Sequence, residues 1–256
     1  MSDDASVLYG VEGAVARVTI NRPDRRNAIN PEVVRGLTNA LGSAAGDKDV
    51  RVVVLTGAGE KAFCAGADLG GLTSDSRVDQ HWQRAEVGRL LSTMRTSRLP
   101  IVARLNGHAL AGGFGLMLGC DFVVAAETAE MGTPEINLAL WPFMITAVLQ
   151  RDIPRKVALE LMMTGRRMSA DEAHRWGFVN RVVSPDQLDK AVDEIVSKSP
   201  LILALGKRSF YRAEDMAFDD SIDYLAGMLT VCLESEDTIE GVTAFLEKRK
   251  PEWKGR

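Results

Sequence analysis

The chain has 256 residues, a hydrophobic fraction of 46%, a charged fraction of 26% and a formal net charge of -4. That length allows one large domain with a substantial core, and a mildly acidic balance with both signs interspersed excludes the basic footprint of a nucleic-acid binder. Cys64, Cys120 and Cys232 are odd in number and far apart, which excludes a disulfide framework. No stretch reaches the roughly 20 apolar residues of a membrane span and the polar start MSDDAS lacks a signal peptide's apolar run, so a soluble cytoplasmic protein is expected.

Val15 to Ile20 alternates like a half-buried strand, and Asn21-Arg22-Pro23-Asp24 ends it. Arg25 and Arg26 follow at a turn. Asn30-Pro31 then supplies an N-cap and a first-turn proline, and Val33, Leu37, Ala40, Leu41 and Ala44 recur at helical spacing, which predicts an amphipathic helix over 31–45. Val50 to Thr56 reads as a strongly apolar strand. The G-x-G-x-x-A pattern of Gly57 to Ala62 resembles a dinucleotide fingerprint, but Phe63 to Leu69 continues as another turn rather than the helix a pyrophosphate site requires. A tight surface turn followed by a small-residue loop is the better reading of 57–69.

From Val78 to Ser97, Trp82, Ala85, Leu90 and Met94 are spaced for a helix, with His81 exposed beside a core Trp82. Pro100 opens the short buried strand Ile101 to Leu105. The glycine-rich stretch Asn106 to Asp121 follows that strand directly and reads as a helix, and Gly112, Gly113 and Gly115 weaken a helix, so their clustering where strand gives way to helix needs a cause. Two readings stand: backbone N-H groups approach a ligand, or the glycines let the helix pack tightly on a sheet. Asp121 to Ala125 forms another strand, and the alternation from 50 to 125 argues for an α/β arrangement with mostly parallel strands. Gly132-Thr133-Pro134-Glu135 is a turn that carries a carboxylate among Ile136, Leu138, Leu140, Trp141, Phe143 and Met144. Such surroundings invite a raised pKa and a proton-transfer role; a solvated loop glutamate is the plainer alternative.

The remainder is helical. Ser169 to Glu172 and Ser184 to Gln187 fit the capping box, and Leu188, Ala191, Val192, Ile195 and Val196 give an apolar face. Ser199-Pro200 opens another helix, Tyr224 to Leu233 forms the next, and the last runs from Asp237 to the Lys248-Arg249-Lys250 end. Its apolar surface suggests packing on a neighbouring subunit. His81, His108 and His174 lack metal-ligand spacing, and no C-x-x-C, P-loop or G-x-S-x-G turn is present, so no metal is expected.

Phe63-Cys64-Ala65-Gly66-Ala67-Asp68-Leu69, Asn106-Gly107-His108-Ala109 with Gly112-Gly113, Cys120-Asp121 and Pro134-Glu135 together resemble the enoyl-CoA hydratase/isomerase (crotonase) superfamily. The likeness extends from Asn21-Arg22-Pro23 to Ala244-Phe245-Leu246-Glu247-Lys248-Arg249. It implies an α/β fold, a crotonase-like spiral of ββα units over 1–197, and a C-terminal helical trimerisation region over 198–256. The partner implied is an acyl-CoA thioester, with coenzyme A entering as part of the substrate and no other cofactor. The assembly implied is a homotrimer or a dimer of trimers.

By the same resemblance the N-H groups of Ala67 and Gly112 form an oxyanion hole for the thioester enolate, where losing one donor costs about 10² to 10³ in rate. Arg25, Arg26, Ala28, Ala65 and Asp68 lie near the nucleotide end, joined by Phe245 and Lys248 from the tail. Typical hydratases of this family present two glutamates. Here the first position falls on Gly115 and the second matches Glu135, while Phe143-Met144-Ile145-Thr146 replaces a glycine-rich segment and fills space where a water would sit. One carboxylate suffices to move a proton from C2 to C4, whereas hydration divides well between two. Δ3,Δ2-enoyl-CoA isomerisation with Glu135 as the single acid/base is therefore favoured over 2-enoyl-CoA hydration by Glu135 alone, and over a non-catalytic acyl-CoA binding protein. Trp82, Trp141, Phe143 and Met144 are candidates for the acyl pocket, against the commoner role of large apolar residues as plain core.

Overall fold

The computed structural model describes residues 5–71, 77–190 and 196–256. The elements are β1 (Val7–Glu12), β2 (Val15–Ile20), α1 (Pro31–Gly46), β3 (Val52–Gly57), β4 (Ala62–Cys64), α2 (Arg77–Thr96), β5 (Ile101–Leu105), β6 (His108–Leu110), α3 (Gly112–Leu118), β7 (Phe122–Ala126) and β8 (Glu130–Gly132). They continue with α4 (Phe143–Asp152), α5 (Arg155–Thr164), β9 (Arg167–Ser169), α6 (Ala170–Arg175), β10 (Arg181–Val183), α7 (Pro200–Glu214), α8 (Phe218–Leu233) and α9 (Glu236–Glu247). Consecutive strands leave for different sheets: β3, β5 and β7 join a sheet ordered β1-β2-β3-β5-β7-β10, and β4, β6 and β8 join a smaller one ordered β4-β6-β8-β9. The chain thus advances as a spiral in which each turn lays one long and one short strand. Pairings inside both sheets are parallel, and the edge pairs β1–β2 and β8–β9 are antiparallel.

Register explains the apolar runs. Val53 and Leu55 point into the main core with Ile101 and Ala103, while Val52 and Val54 meet Val102, Val124, Ala126 and Leu188 on the opposite face. With both faces covered, no polar alternation survives in these strands. Helix starts follow the capping signals: Asn30 Oδ1 accepts from the Val33 N-H, Ser169 Oγ from Glu172 and Ser199 Oγ from Ile202.

The Cys120-Asp121 motif fastens α7 to this core. Asp121 accepts from Lys207 Nζ at 2.7 Å, Tyr211 OH at 2.9 Å and the Ile101 N-H at 2.7 Å, and Lys207 also donates to the Met94 and Leu99 carbonyls. Removing one partner of such a pair leaves the other charge uncompensated in an apolar setting. Asp121→Ala is expected to lower unfolding free energy by about 3 to 5 kcal/mol, read from urea titrations, and a loss under about 1 kcal/mol would contradict this role.

Several expectations are corrected. The helix after β5 does not begin at Asn106: β6 intervenes, because Asn106 turns the chain by accepting from the Gly57 N-H and donating to the Gly59 carbonyl, and α3 starts only at Gly112. Trp82 is not core but 53% exposed, its ring standing edge-on to His81 and under Arg89. Ser184 does not close a capping box; its hydroxyl donates to Asp186, and the residues directly after it, Pro185–Gln187, form a 3-10 turn. The helix expected from Tyr224 starts at Phe218. Of the apolar face at 188–196, Leu188 is buried and Val196 packs beside it, while Ala191, Val192 and Ile195 lie outside the described residues. Among the described residues no helix is long and apolar enough to cross a membrane.

Candidate active site

Three parallel strands of the small sheet deliver the site. Cys64 of β4 pairs with Ala109 of β6, and Leu110 of β6 with Gly132 of β8. Their C-terminal ends therefore release Ala65 to Ala67, Ala111-Gly112 and Thr133 to Glu135 side by side, the edge at which parallel sheets build their sites. The Ala111 N-H donates to the Gly132 carbonyl at 2.9 Å, and Ile29 clamps the first turn through bonds to Gly66 and Asp68.

The two readings of the glycine stretch divide between residues. Gly113 serves packing: a Cβ there would lie 2.1 Å from the Cys64 carbonyl oxygen. At Gly112 a Cβ would lie 3.9 Å from the Ala67 nitrogen, so the two predicted amides are neighbours. Among the described residues neither N-H meets an acceptor. Ala111, just before Gly112, is held at φ 52° and ψ -128°, a conformation that an L residue adopts only under constraint and that costs about 1 to 3 kcal/mol. Gly66 at φ 96° lets the facing turn close on it, because a Cβ there would reach within 2.5 Å of the Ala111 Cβ. Neighbouring amides held in constrained turns and without another acceptor are groups that a developing oxyanion can use.

Glu135 lies in the 3-10 turn Pro134–Leu138 that leaves β8. Burial pushes its carboxyl above the ordinary range, opposed in part by its own backbone N-H, and its Oε2 is buried without a hydrogen-bond partner. The Thr133 hydroxyl beside it in sequence is likewise buried and unpartnered. A desolvated carboxylate with one oxygen unpartnered is a proton acceptor of raised basicity.

Arg26 and Ala65 line a cavity of about 400 Å³ together with Lys61, His108, Leu110 and Arg167. It adjoins the turn that carries Ala67, because the Leu110 carbonyl lies 3.1 Å from where a Cβ of Gly66 would sit. Sequence reasoning passed over Lys61 and Arg167: Arg167 reaches the cavity only because it pairs with Gly132 across β8 and β9, which no local pattern announces. Ala28 is buried and Arg25 exposed, whereas Asp68 is held by Arg22 at 2.8 Å, which keeps its carboxyl below the usual range. Phe245, 81% exposed, and Lys248 stand at the end of α9 and do not line this cavity. Of the acyl-pocket candidates, Met144 lines a second cavity, of about 470 Å³, with Leu91, Val148, Phe210 and Tyr211. Trp141 packs partly on the core and Phe143 is exposed.

Comparison with known proteins identifies the family and its fold. Residues 10–256 match the family model described as enoyl-CoA hydratase/isomerase. The chain is 34% identical over 252 residues to a short-chain-enoyl-CoA hydratase of Clostridium acetobutylicum, covering 96% of this chain and 97% of the relative. It is 36% identical to a carnitinyl-CoA dehydratase of Salmonella typhi, covering 95% and 96% respectively. Among solved structures, an enoyl-CoA hydratase of Bacillus anthracis superposes with a TM-score of 0.93 at 32% identity, over 98% of this chain and all of that one. One from Mycobacterium smegmatis gives 0.92 at 35%, over 97% and 98%.

Proposed function

The chain belongs to the enoyl-CoA hydratase/isomerase family, and from that premise we propose that this enzyme moves a double bond within a fatty acyl-CoA thioester, with Glu135 as its single acid/base. The observation that carries this reading is one desolvated carboxylate on the strand end adjoining that of two unpaired amides, with Gly115 offering no side chain in the next turn of α3. Glu135 removes a proton from C2 of a 3-enoyl thioester, and the carbon–hydrogen electron pair delocalises into an enolate whose oxygen accepts from Ala67 and Gly112. The same carboxyl then returns the proton to C4 as the C3–C4 π pair shifts and the C2–C3 double bond forms. No atom is gained or lost.

The nucleotide end suits the cavity of Arg26 and Lys61, whose cations match phosphate. Phe245 and Lys248 reach such a ligand from a neighbouring copy: no residue of α8 is buried, and Phe218, Ile222, Leu229 and Leu233 leave an apolar face for a homotrimer or a dimer of trimers. A second reading, addition of water to a 2-enoyl thioester by Glu135 alone, is favoured by the names of the relatives.

The two separate on purified enzyme given a 3-enoyl-CoA, or a 2-enoyl-CoA in oxygen-18 water. Isomerisation is expected to exceed incorporation of label into 3-hydroxyacyl-CoA by about a hundredfold, the lower range of what one positioned acid/base contributes. Faster label incorporation than isomerisation would install the hydratase reading instead.

A further inference from the structure

Resting on that reading, we propose that Ile145 is the specificity-determining residue that turns the site from adding water to moving a proton. Gly112 and Gly115 are three residues apart on α3 and so share one face, a turn from each other. The Gly112 end of that face looks at the Ala67 amide. At the Gly115 end, a Cβ would lie 2.1 Å from Ile145 Cγ2, 2.7 Å from Ile145 Cβ and 3.7 Å from Ile145 Cδ1. The volume any side chain at 115 would use is therefore already taken by the Ile145 branch.

The wedge is held firmly. Ile145 is buried, its turn is tied down by Thr146, whose N-H and hydroxyl both donate to the Pro142 carbonyl, and a β-branched residue in a helix has one strongly preferred χ1. A bound water requires two to four polar partners, and here it would meet a methyl group and a glycine. The wall one turn from the Gly112 amide thus stays dry and free of a second carboxylate. Glu135 works without that wall, because transfer between C2 and C4 uses a single carboxyl.

Three substitutions dissect the contact. Ile145→Val keeps Cγ2, Ile145→Ala removes it, and Ile145→Gly also removes the Cβ. The readout is the rate of oxygen-18 incorporation into 3-hydroxyacyl-CoA from a 2-enoyl-CoA, set against conversion of a 3-enoyl-CoA. The hydration-to-isomerisation ratio is expected to rise about tenfold or more in Ile145→Ala and to stay within about twofold of wild type in Ile145→Val. A folded Ile145→Ala whose ratio equals that of Ile145→Val overturns the proposal. Thermal unfolding gives an independent reading: Gly115→Ala must depress the midpoint far less in the Ile145→Gly background than in wild type, and equal losses also overturn it. Wild-type enzyme inert toward 3-enoyl-CoA would remove the isomerase reading alone; the absolute hydration rates of Ile145→Ala and Ile145→Val would still decide the role of Ile145.

Discussion

Glu135→Gln lowers turnover of a 3-enoyl thioester by about 10² to 10⁴, the contribution of one positioned acid/base, while the dissociation constant of the unreactive saturated thioester stays within about threefold. The substitution is nearly isosteric, so the oxyanion amides and the cavity beside them are unchanged. Wild-type kcat/KM falls as pH falls, because the base works only when ionised, and the inflection lies above the ordinary glutamate value of 4.5 since burial raises this group. Stability carries the opposite sign. A carboxyl raised in the folded state adds stability fully present below its unfolded pKa and lost as pH rises through its folded pKa. At pH 7 the ionised, unpaired Glu135 therefore weakens the fold, and Glu135→Gln melts at or above the wild-type temperature, a difference that closes at pH 4. A variant that keeps wild-type turnover refutes the assignment; one that loses turnover and melts lower points to a structural role.

That trade marks where the sequence speaks clearly and where it does not. Glu135 is legible because a carboxylate embedded in Ile136, Leu138, Leu140 and Trp141 departs from the pattern of a solvated loop. Helices α1, α2 and α7 are legible because amphipathic spacing or caps such as Asn30 and Ser199 repeat over many residues. The small sheet is silent: β4, β6, β8 and β9 have three residues each, too few for a period, and β1 has Gly10 in its middle and a half-exposed course. Yet those short strands bring Ala67, Gly112 and Glu135 to one edge. The candidate site residues are therefore proposed through motif resemblance, while Arg167, which depends on cross-strand register, and Lys61 appear beside the cavity only in three dimensions. Trp82 fails for a related reason: helical spacing marks a face but not what covers it.

Relatives named for adding or removing water share a third of this sequence and its fold. A reaction through a thioester enolate needs donors for its oxygen whichever product it forms, the role proposed here for the amides of Ala67 and Gly112. On the proposal made above, the contact between Gly115 and Ile145 decides whether water reaches C3 or a proton alone is returned to C4.

The amide at 112 can be tested without touching a side chain. Replacing Gly112 by glycolic acid, which turns its amide into an ester, is expected to lower kcat/KM by about 10² to 10³, the effect of losing one oxyanion donor. Gly112 is the first residue of α3, where the N-H has no partner within the helix, so the change removes no backbone hydrogen bond. The matched control is the ester at Gly115, whose N-H donates to the Ala111 carbonyl at 3.2 Å. That exchange should reduce stability by about 0.5 to 1.5 kcal/mol and leave the rate within about threefold. Equal rate losses at both positions would mean that α3 geometry, rather than a hydrogen bond to the thioester oxygen, is what catalysis depends on. An unchanged rate at 112 would leave Ala67 as the sole donor, and the strained turn at Ala111 without a purpose in the reaction.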